Sequence, residues 1–227
     1  MKYTYDYPRP MVTVDIFLLR FHQKNIETLL VKRDHPPFEG KWALPGGFIE
    51  MQEKMHKTAE RELYEETGLR EIKLIPILFK GDPDRDPRGR TITIVYSGIL
   101  TPPFQETRAG DDARDVKWFL LKDLPKLSFD HYQIIKECQE KVKFKALWQL
   151  WILCFLPRTF SNHDVKIIST ELLNSSDFIK KMLEVAKLLS FIKEESNGQF
   201  KKKENFNKLL CLTFNELTEA WIKIIDN

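Results

Sequence analysis

The sequence predicts an α/β domain followed by a smaller, mostly helical one, and three observations carry that expectation. Apolar residues make up 42% and charged residues 30% of the 227. That composition buries a core without disulfides and excludes a disordered tail, a collagen-like chain or a disulfide-stapled miniprotein. β-branched apolar runs surround one strongly helical segment in the first part of the chain, and helical patterning takes over in the second. The length suits one large domain or two modest ones of roughly 100–150 residues each. The change of character predicts domains at 1–143 and 144–227.

The elements follow in order. MVTVDIFLLR (11–20) and IETLLVKR (26–33) are apolar and β-branched around a polar link, which predicts a hairpin. Pro36, Pro37, Gly40, Pro45, Gly46 and Gly47 then punctuate a loop in which KWAL is at most a short strand. Glu53 to Thr67 is rich in helix formers, and Gly68 stands where a left-handed residue would close the helix. EIKLIPILF (71–79) and TITIVYSGIL (91–100) predict strands separated by the long polar loop GDPDRDPRGR. A short strand near 115–121, a DLP turn and an amphipathic helix over 131–142 complete the first domain.

In the second, FKALWQLWILCFL predicts a helix. SNHDVKIISTELL predicts another, capped by Ser161 or Asn162, and SSDFIKKMLEVAKLLSFIKEE a third, capped by Ser175, Ser176 or Asp177. SNGQFKKKENFNKLLCLTF predicts a turn and two short strands, and NELTEAWIKII a last helix. Three helices and a β-hairpin are the parts of a winged helix-turn-helix. No internal repeat or low-complexity tract is present.

The longest apolar stretch, Ala146 to Pro157, contains Gln149 and falls short of the roughly 20 residues a membrane-spanning helix needs. MKYTYDYPRP lacks the apolar segment of a secretory signal, and Cys138, Cys154 and Cys211 have no metal-type spacing, so a cytoplasmic, reducing location is expected. Residues 1–140 hold 22 Lys/Arg against 23 Asp/Glu, and residues 141–227 hold 14 against 10. The excess in the second part is compatible with a nucleic-acid surface or with an ordinary solvated face.

Chemistry concentrates in GFIEMQEKMHKTAERELYEETGL (47–69). On a helix Glu62, Glu65 and Glu66 are related by i, i+3 and i+4, so their carboxylates project from one side. Two readings follow. A divalent cation would convert their repulsion into oxygen coordination suited to Mg²⁺ or Mn²⁺; alternatively they form a solvated acidic face balanced by Lys54, Lys57 and Arg61.

The wider spacing resembles the Nudix hydrolase signature, G-x5-E-x7-R-E-U-x-E-E-x-G-U with U a bulky apolar residue, at Gly47, Glu53, Arg61, Glu62, Leu63, Glu65, Glu66, Gly68 and Leu69. Over residues 5–140, YPRP, the TVD strand, FEGKWALPGGFIE, GDPDRDPRGRTITIVY, GDDARDVKWF and FDH are similar to the ADP-ribose pyrophosphatase branch. The resemblance implies the Nudix α/β/α sandwich with a mixed sheet. It further implies that Glu62, Glu65 and Glu66 ligate Mg²⁺ or Mn²⁺, that Arg61 and Glu53 orient them, and that Gly47 shapes the loop into the helix. Gly46 and Gly47 let a diphosphate approach the main chain.

The implied activity is hydrolysis of the pyrophosphate bond of ADP-ribose or a related nucleoside diphosphate-linked substrate, giving AMP and ribose 5-phosphate. Glu106, Asp111 and Asp112 are candidate general bases. Arg33, Arg85, Arg88 and Arg90 are candidate phosphate or ribose contacts, since guanidinium forks fit phosphate, although Asp82 and Asp86 could pair with them inside the loop. Phe38, Trp42 and Phe48 either stack an adenine or belong to the core. His35, His56 and His131 show no ligand spacing and are read as ordinary. Dimerisation is implied by the resemblance.

Residues beyond 144 resemble the extension of Nudix-related winged-helix transcriptional regulators. In that alternative, the protein binds DNA and senses ADP-ribose or a sugar-derived ligand. Ser176 to Leu189 would be the recognition helix, with Lys180 and Lys181 near its start, and Gln199 to Lys203 the wing, with Lys201, Lys202 and Lys203 on phosphates. No arginine lies beyond Arg158, although arginine is the preferred reader of guanine. A helical appendage for dimerisation or for covering the site is the competing reading.

Overall fold

The computed structural model describes residues 4–110, 113–148, 150–173, 179–211, 217, 218 and 220. The chain divides into two compact units. One comprises 1–19, 27–99 and 105–138, the other 20–26, 100–104 and 139–227.

The first unit holds all or most of β1 (Met11–His22), β2 (Asn25–Arg33), β3 (Trp42–Ala43), β4 (Ile75–Lys80), β5 (Thr91–Leu100), β6 (Ala113–Leu120) and α1 (Met55–Thr67), and the first part of α2 (His131–Trp148). The sheet runs β3-β2-β1-β5-β4, and β6 also pairs with β2. Its β2–β3, β2–β6 and β4–β5 ladders are antiparallel. By contrast, Met11 N donates to Arg90 O at the start of β1 and β5, and Thr93 Oγ1 lies 3.3 Å from Thr13 O further along both. Those two strands run side by side in the same direction, so the sheet is mixed. Thr13 to Leu19 are buried without interruption, as are Thr93 to Leu100. Unbroken burial requires cover on both faces, which is why these strands read as continuous apolar runs instead of alternating ones.

Helix α1 buries Thr58, Ala59, Leu63 and Thr67 and leaves its glutamate side toward solvent and the cavity described below. It starts two residues later than Glu53, and Gly68, at φ +76°, ends it with its N–H on Tyr64 O, as the sequence predicts. Strand β4 starts at Ile75 instead of 71. Glu71, at φ +54°, has a left-handed backbone that extended pairing does not admit.

Helix α2 runs through residues 143 and 144 without a break and buries Ile134, Ile135, Cys138, Val142 and Ala146 on one stripe. Leu150, at φ +59°, ends this stretch, and a 3₁₀ turn, Trp151–Phe155, follows. The separate helix expected over FKALWQLWILCFL is therefore the tail of α2 plus that turn. No helix among the described residues is long and apolar enough to cross a membrane. Cys138 and Cys154 are buried free thiols, and burial pushes the Cys138 thiol up to about 12.

The second unit contains β7 (Thr159–Ser161), α3 (Asn162–Leu173), α4 (Ile179–Leu188), β8 (Ile192–Glu194), β9 (Gln199–Lys202) and a 3₁₀ segment, Glu204–Cys211. The strands form an antiparallel sheet in the order β7-β9-β8, in which Phe160 and Phe200 pair across the ladder and stack 5.7 Å apart. Ser161 caps α3: its N–H and Oγ both lie 2.7 Å from Asp164 Oδ2, and Asp164 N donates back to Ser161 Oγ.

Helix α4 stops at Leu188, short of the predicted 195, because Ser190 takes a left-handed conformation. Ser190 N then donates to Lys187 O and Phe191 N to Ala186 O, the paired bonds that close a helix end. Thus β8 arises where helix is predicted, β7 is an unforeseen third strand, and the second predicted strand is the 3₁₀ segment. The caps expected at Ser175, Ser176 or Asp177, and all of the predicted last helix apart from 217, 218 and 220, lie outside the described residues.

Candidate active site

The loop before α1 is pinned to β1: Ile16 N donates to Pro45 O and Val14 N to Gly47 O. Gly46 sits at φ +152°, and a methyl group there would lie 2.1 Å from Val14 O, so this close approach requires glycine. A methyl group on Gly47 would lie 2.3 Å from Glu62 Oε1, so the carboxylate of Glu62 packs directly on that glycine. Gly46 N donates to Glu66 Oε2 at 2.9 Å. Two of the three predicted ligands are therefore held against the Gly46–Gly47 main chain.

Arg61 gathers the cluster. Its Nε and Nη2 grip both oxygens of Glu53 at 3.0 Å, while Nη1 reaches Glu62 at 2.8 Å and Glu65 at 2.9 Å. Thr58 Oγ1 adds a bond to Glu53. This bidentate fork is the arrangement for which arginine is suited and lysine is not. The hydrogen bonds from Arg61 draw Glu53 below the usual carboxylate range, and burial raises Glu62. Burial also pushes Glu66 up to about 8, against the stabilising N–H of Gly46.

The cluster forms one side of a cavity of 470 Å³. Arg33, Gly46, Gly47, Phe48, Arg85 and Arg88, all predicted from the sequence, line it together with Arg61, Glu62 and Glu66. Arg33 donates to Pro37 O and His35 O, and burial lowers its pKa. Arg88 is locked onto Asp86 by a fork of 2.7–3.2 Å, and its guanidinium lies 4.9 Å from the Phe48 ring and 5.3 Å from that of Phe129. Arg85 lines the cavity as a brace: its side chain is 4% exposed and binds Asp130 through two bonds of 2.8 and 3.0 Å.

Several predicted residues stand away from the cavity wall. Arg90 is not among the cavity's lining residues; it donates to Gly81 O and is exposed. Glu65, half-exposed, is drawn toward the cluster by Arg61 but is also absent from the lining. Glu106 is exposed and away from the lining, and Asp111 and Asp112 lie outside the described residues. Trp42 packs edge-on against Phe119, and Phe38 edge-on against Phe129, so both serve as packing.

Sequence reasoning missed Asp15, Phe129 and the buried His131, all in the cavity wall. Leu44 N donates to His131 Nδ1, which leaves the ring proton on Nε2, 3.4 Å from Asp15 Oδ1. Burial lowers the pKa of this imidazole, and Thr93 Oγ1 donates to Asp15 Oδ2 at 2.7 Å. The TVD and FDH segments held that signal, though spacing alone gave no reason for their acids and histidine to meet.

Among the described residues no three His, Cys, Asp or Glu side chains are gathered tightly enough to chelate one ion. The chemistry nevertheless fits a hard cation: the donors are all oxygen, and two buried carboxylates, Glu62 and Glu66, are disfavoured as bare anions.

The family model described as the NUDIX domain matches residues 9–138. The chain belongs to the Nudix family. It is 45% identical over 132 residues to an ADP-ribose pyrophosphatase of Methanocaldococcus jannaschii, spanning 58% of this chain and 74% of that protein. It is 27% identical over 187 residues to the ADPR responsive transcriptional repressor NtrR of Acinetobacter baylyi, spanning 79% and 74%. Among solved structures, Shewanella oneidensis NrtR complexed with a 27mer DNA superposes with a TM-score of 0.70 at 26% identity, covering 86% of this chain and 94% of that one. The protein is a Nudix hydrolase, and Nudix hydrolases generally use divalent metals.

Proposed function

We propose that this Nudix hydrolase cleaves the pyrophosphate bond of ADP-ribose or a related nucleoside diphosphate-linked substrate, giving AMP and ribose 5-phosphate. The observation that carries this reading is the convergence of Glu62, held by Arg61, and Glu66, held by Gly46 N, on the Gly46–Gly47 loop at the edge of a cavity that Arg33, Arg88, Phe48 and Phe129 also line. When bound by Glu62, Glu65 and Glu66, Mg²⁺ or Mn²⁺ supplies charge neutralisation at the phosphate oxygens and acidifies water. Arg61 and Glu53 position those carboxylates, acting through them and not on the substrate. The Gly46–Gly47 main chain holds Glu66 and Glu62 beside the diphosphate, and Arg33 and Arg88 meet its oxygens. Phe48 and Phe129 offer ring faces to the adenine. Water adds to one phosphorus, the bond from that phosphorus to the bridging oxygen breaks, and the two phosphate monoesters leave.

The test is to incubate the chain with ADP-ribose and Mg²⁺ and assay AMP. AMP that appears only with the cation supports the reading; bound but uncleaved ADP-ribose overturns it.

A second reading, regulation of DNA by ADP-ribose, is favoured by the likeness to NtrR, which extends well past residue 138. In it α4 enters DNA with Lys180 and Lys181, both exposed, and the β8–β9 hairpin serves as the wing of a winged helix. Lys202 is a poor wing contact, being half-buried with its amine on Leu156 O. A gel shift on the chain's own upstream region that ADP-ribose abolishes would support this role, and failure to be retained on any DNA at low salt would end it. A cytoplasmic homodimer is the form in which we expect either activity.

A further inference from the structure

The loop between β4 and β5 is tied down by its own side chains. Arg85 binds Asp130 through two bonds of 2.8 and 3.0 Å, Arg90 donates to Gly81 O, and Gly89 N donates to Asp86 O at 3.2 Å. Between these ties stand Asp86 and Arg88, two residues apart. A carboxylate so close could have taken Arg88 out of the site. It does not.

The Asp86 side chain, 3% exposed, accepts from Arg88 N at 2.9 Å, from Nε at 3.0 and 3.2 Å and from Nη2 at 2.7 Å. That fork takes one edge of the guanidinium. Nη1 has no hydrogen bond among the described residues, and the Arg88 side chain is 35% exposed at the cavity wall. The rings of Phe48 and Phe129, 4.9 and 5.3 Å away, flank the group. Burial works against the charge of Asp86, yet the bonds from Arg88 keep its carboxyl below the usual range. Both members of the pair are therefore charged, and the guanidinium is oriented before a ligand arrives, which spares the cost of ordering a long side chain on binding. Arg85 makes the same kind of fork on Asp130 but is only 4% exposed, so it braces the wall. Arg33 gives Nε and Nη2 to the neutral carbonyls of Pro37 and His35 and has no ion pair among the described residues. Arg33 thus brings net charge to the cavity, and the Asp86–Arg88 pair brings direction.

We propose that Asp86 is a positioning residue for substrate binding: its carboxylate fixes the Arg88 guanidinium between Phe48 and Phe129 so that Nη1 meets a phosphate oxygen of the nucleoside diphosphate. This rests on the reading above that the cavity takes such a substrate.

The test uses the full chain with ADP-ribose, by steady-state kinetics with Mg²⁺ and by calorimetric titration in EDTA. Asp86→Asn keeps the shape and one acceptor but loses the charge; it should raise KM about tenfold and leave kcat within about twofold. Arg88→Lys keeps the charge but loses the fork, and should do the same. The double variant should be no worse than either single one, because Asp86 acts only through Arg88. The titrations should show the same order of affinities without turnover. A wild-type chain that binds ADP-ribose but forms no AMP therefore ends the hydrolase reading while the titrations still decide this one. Unchanged affinity in Asp86→Asn makes the pair a staple of the loop and overturns the proposal. So do losses that add in the double variant, which give Asp86 a contact of its own, and a fall in kcat at constant KM, which places it in the chemistry.

Discussion

The two walls of the Nudix cavity use the same residue types to opposite ends. On the α1 side, Glu53, Glu62 and Glu65 share the single guanidinium of Arg61, and Glu66 has a main-chain N–H. Negative charge is left over, and burial makes it unfavourable for Glu62 and Glu66. On the opposite side, Arg85 is matched by Asp130 through two bonds, and Asp15 is met by Thr93, His131 and, at 3.8 Å, Arg85. That charge is closed. An open cluster should be costly for function and cheap for the fold when mutated, and a closed one the reverse.

The sharpest way to break this comparison is Glu65→Gln. It should lower AMP formation from ADP-ribose by about 10²–10³-fold, the scale of removing one electrostatic stabiliser, with the denaturation midpoint unchanged because Glu65 is half-exposed. An unchanged turnover number would remove Glu65 from the ligand set. Arg85→Met should invert the pattern: it removes the guanidinium from half-buried Asp130 and from buried Asp15 and costs about 3 kcal/mol of stability, read by urea denaturation. A loss of activity without a shift in midpoint would show that Arg85 meets the substrate instead of bracing the wall.

The open wall was legible in the sequence because it is local. The residues from Gly47 to Leu69 are fixed by one loop and one helix, so their spacing alone predicts which carboxylates share a face. The closed wall joins Asp15 on β1, Thr93 on β5 and Asp130 and His131 at the start of α2, which only the sheet order brings together. Nothing in the spacing of His131 distinguishes it from His56, which is exposed on α1. In the second unit the errors came from single backbone conformations. Ser190, left-handed without being glycine, stops a helix whose side-chain pattern would have let it continue, and Leu150, also left-handed, opens the 3₁₀ turn Trp151–Phe155 where helix is predicted.

Arg61→Lys probes the open wall more gently. Lysine keeps the charge but cannot grip both oxygens of Glu53 while reaching Glu62 and Glu65, so kcat should fall about tenfold while binding of ADP-ribose holds. A fall confined to KM would mean that Arg61 contacts the substrate directly.

The smallest effect is expected from Thr93→Val, which removes the 2.7 Å bond to buried Asp15 and should cost about 1–2 kcal/mol by urea denaturation. Its value lies in combination. Thr93 and Arg85 both face Asp15 Oδ2, so the double variant Thr93→Val, Arg85→Met should depart from additivity by about 0.5 kcal/mol or more. Thr93→Val combined with Arg61→Lys should be additive in stability, since no hydrogen bond links those two residues to a shared partner. Coupling in the second pair as strong as in the first would mean that the walls are one network, and that the charge left open on α1 is balanced across the cavity by the residues of β1, β5 and α2.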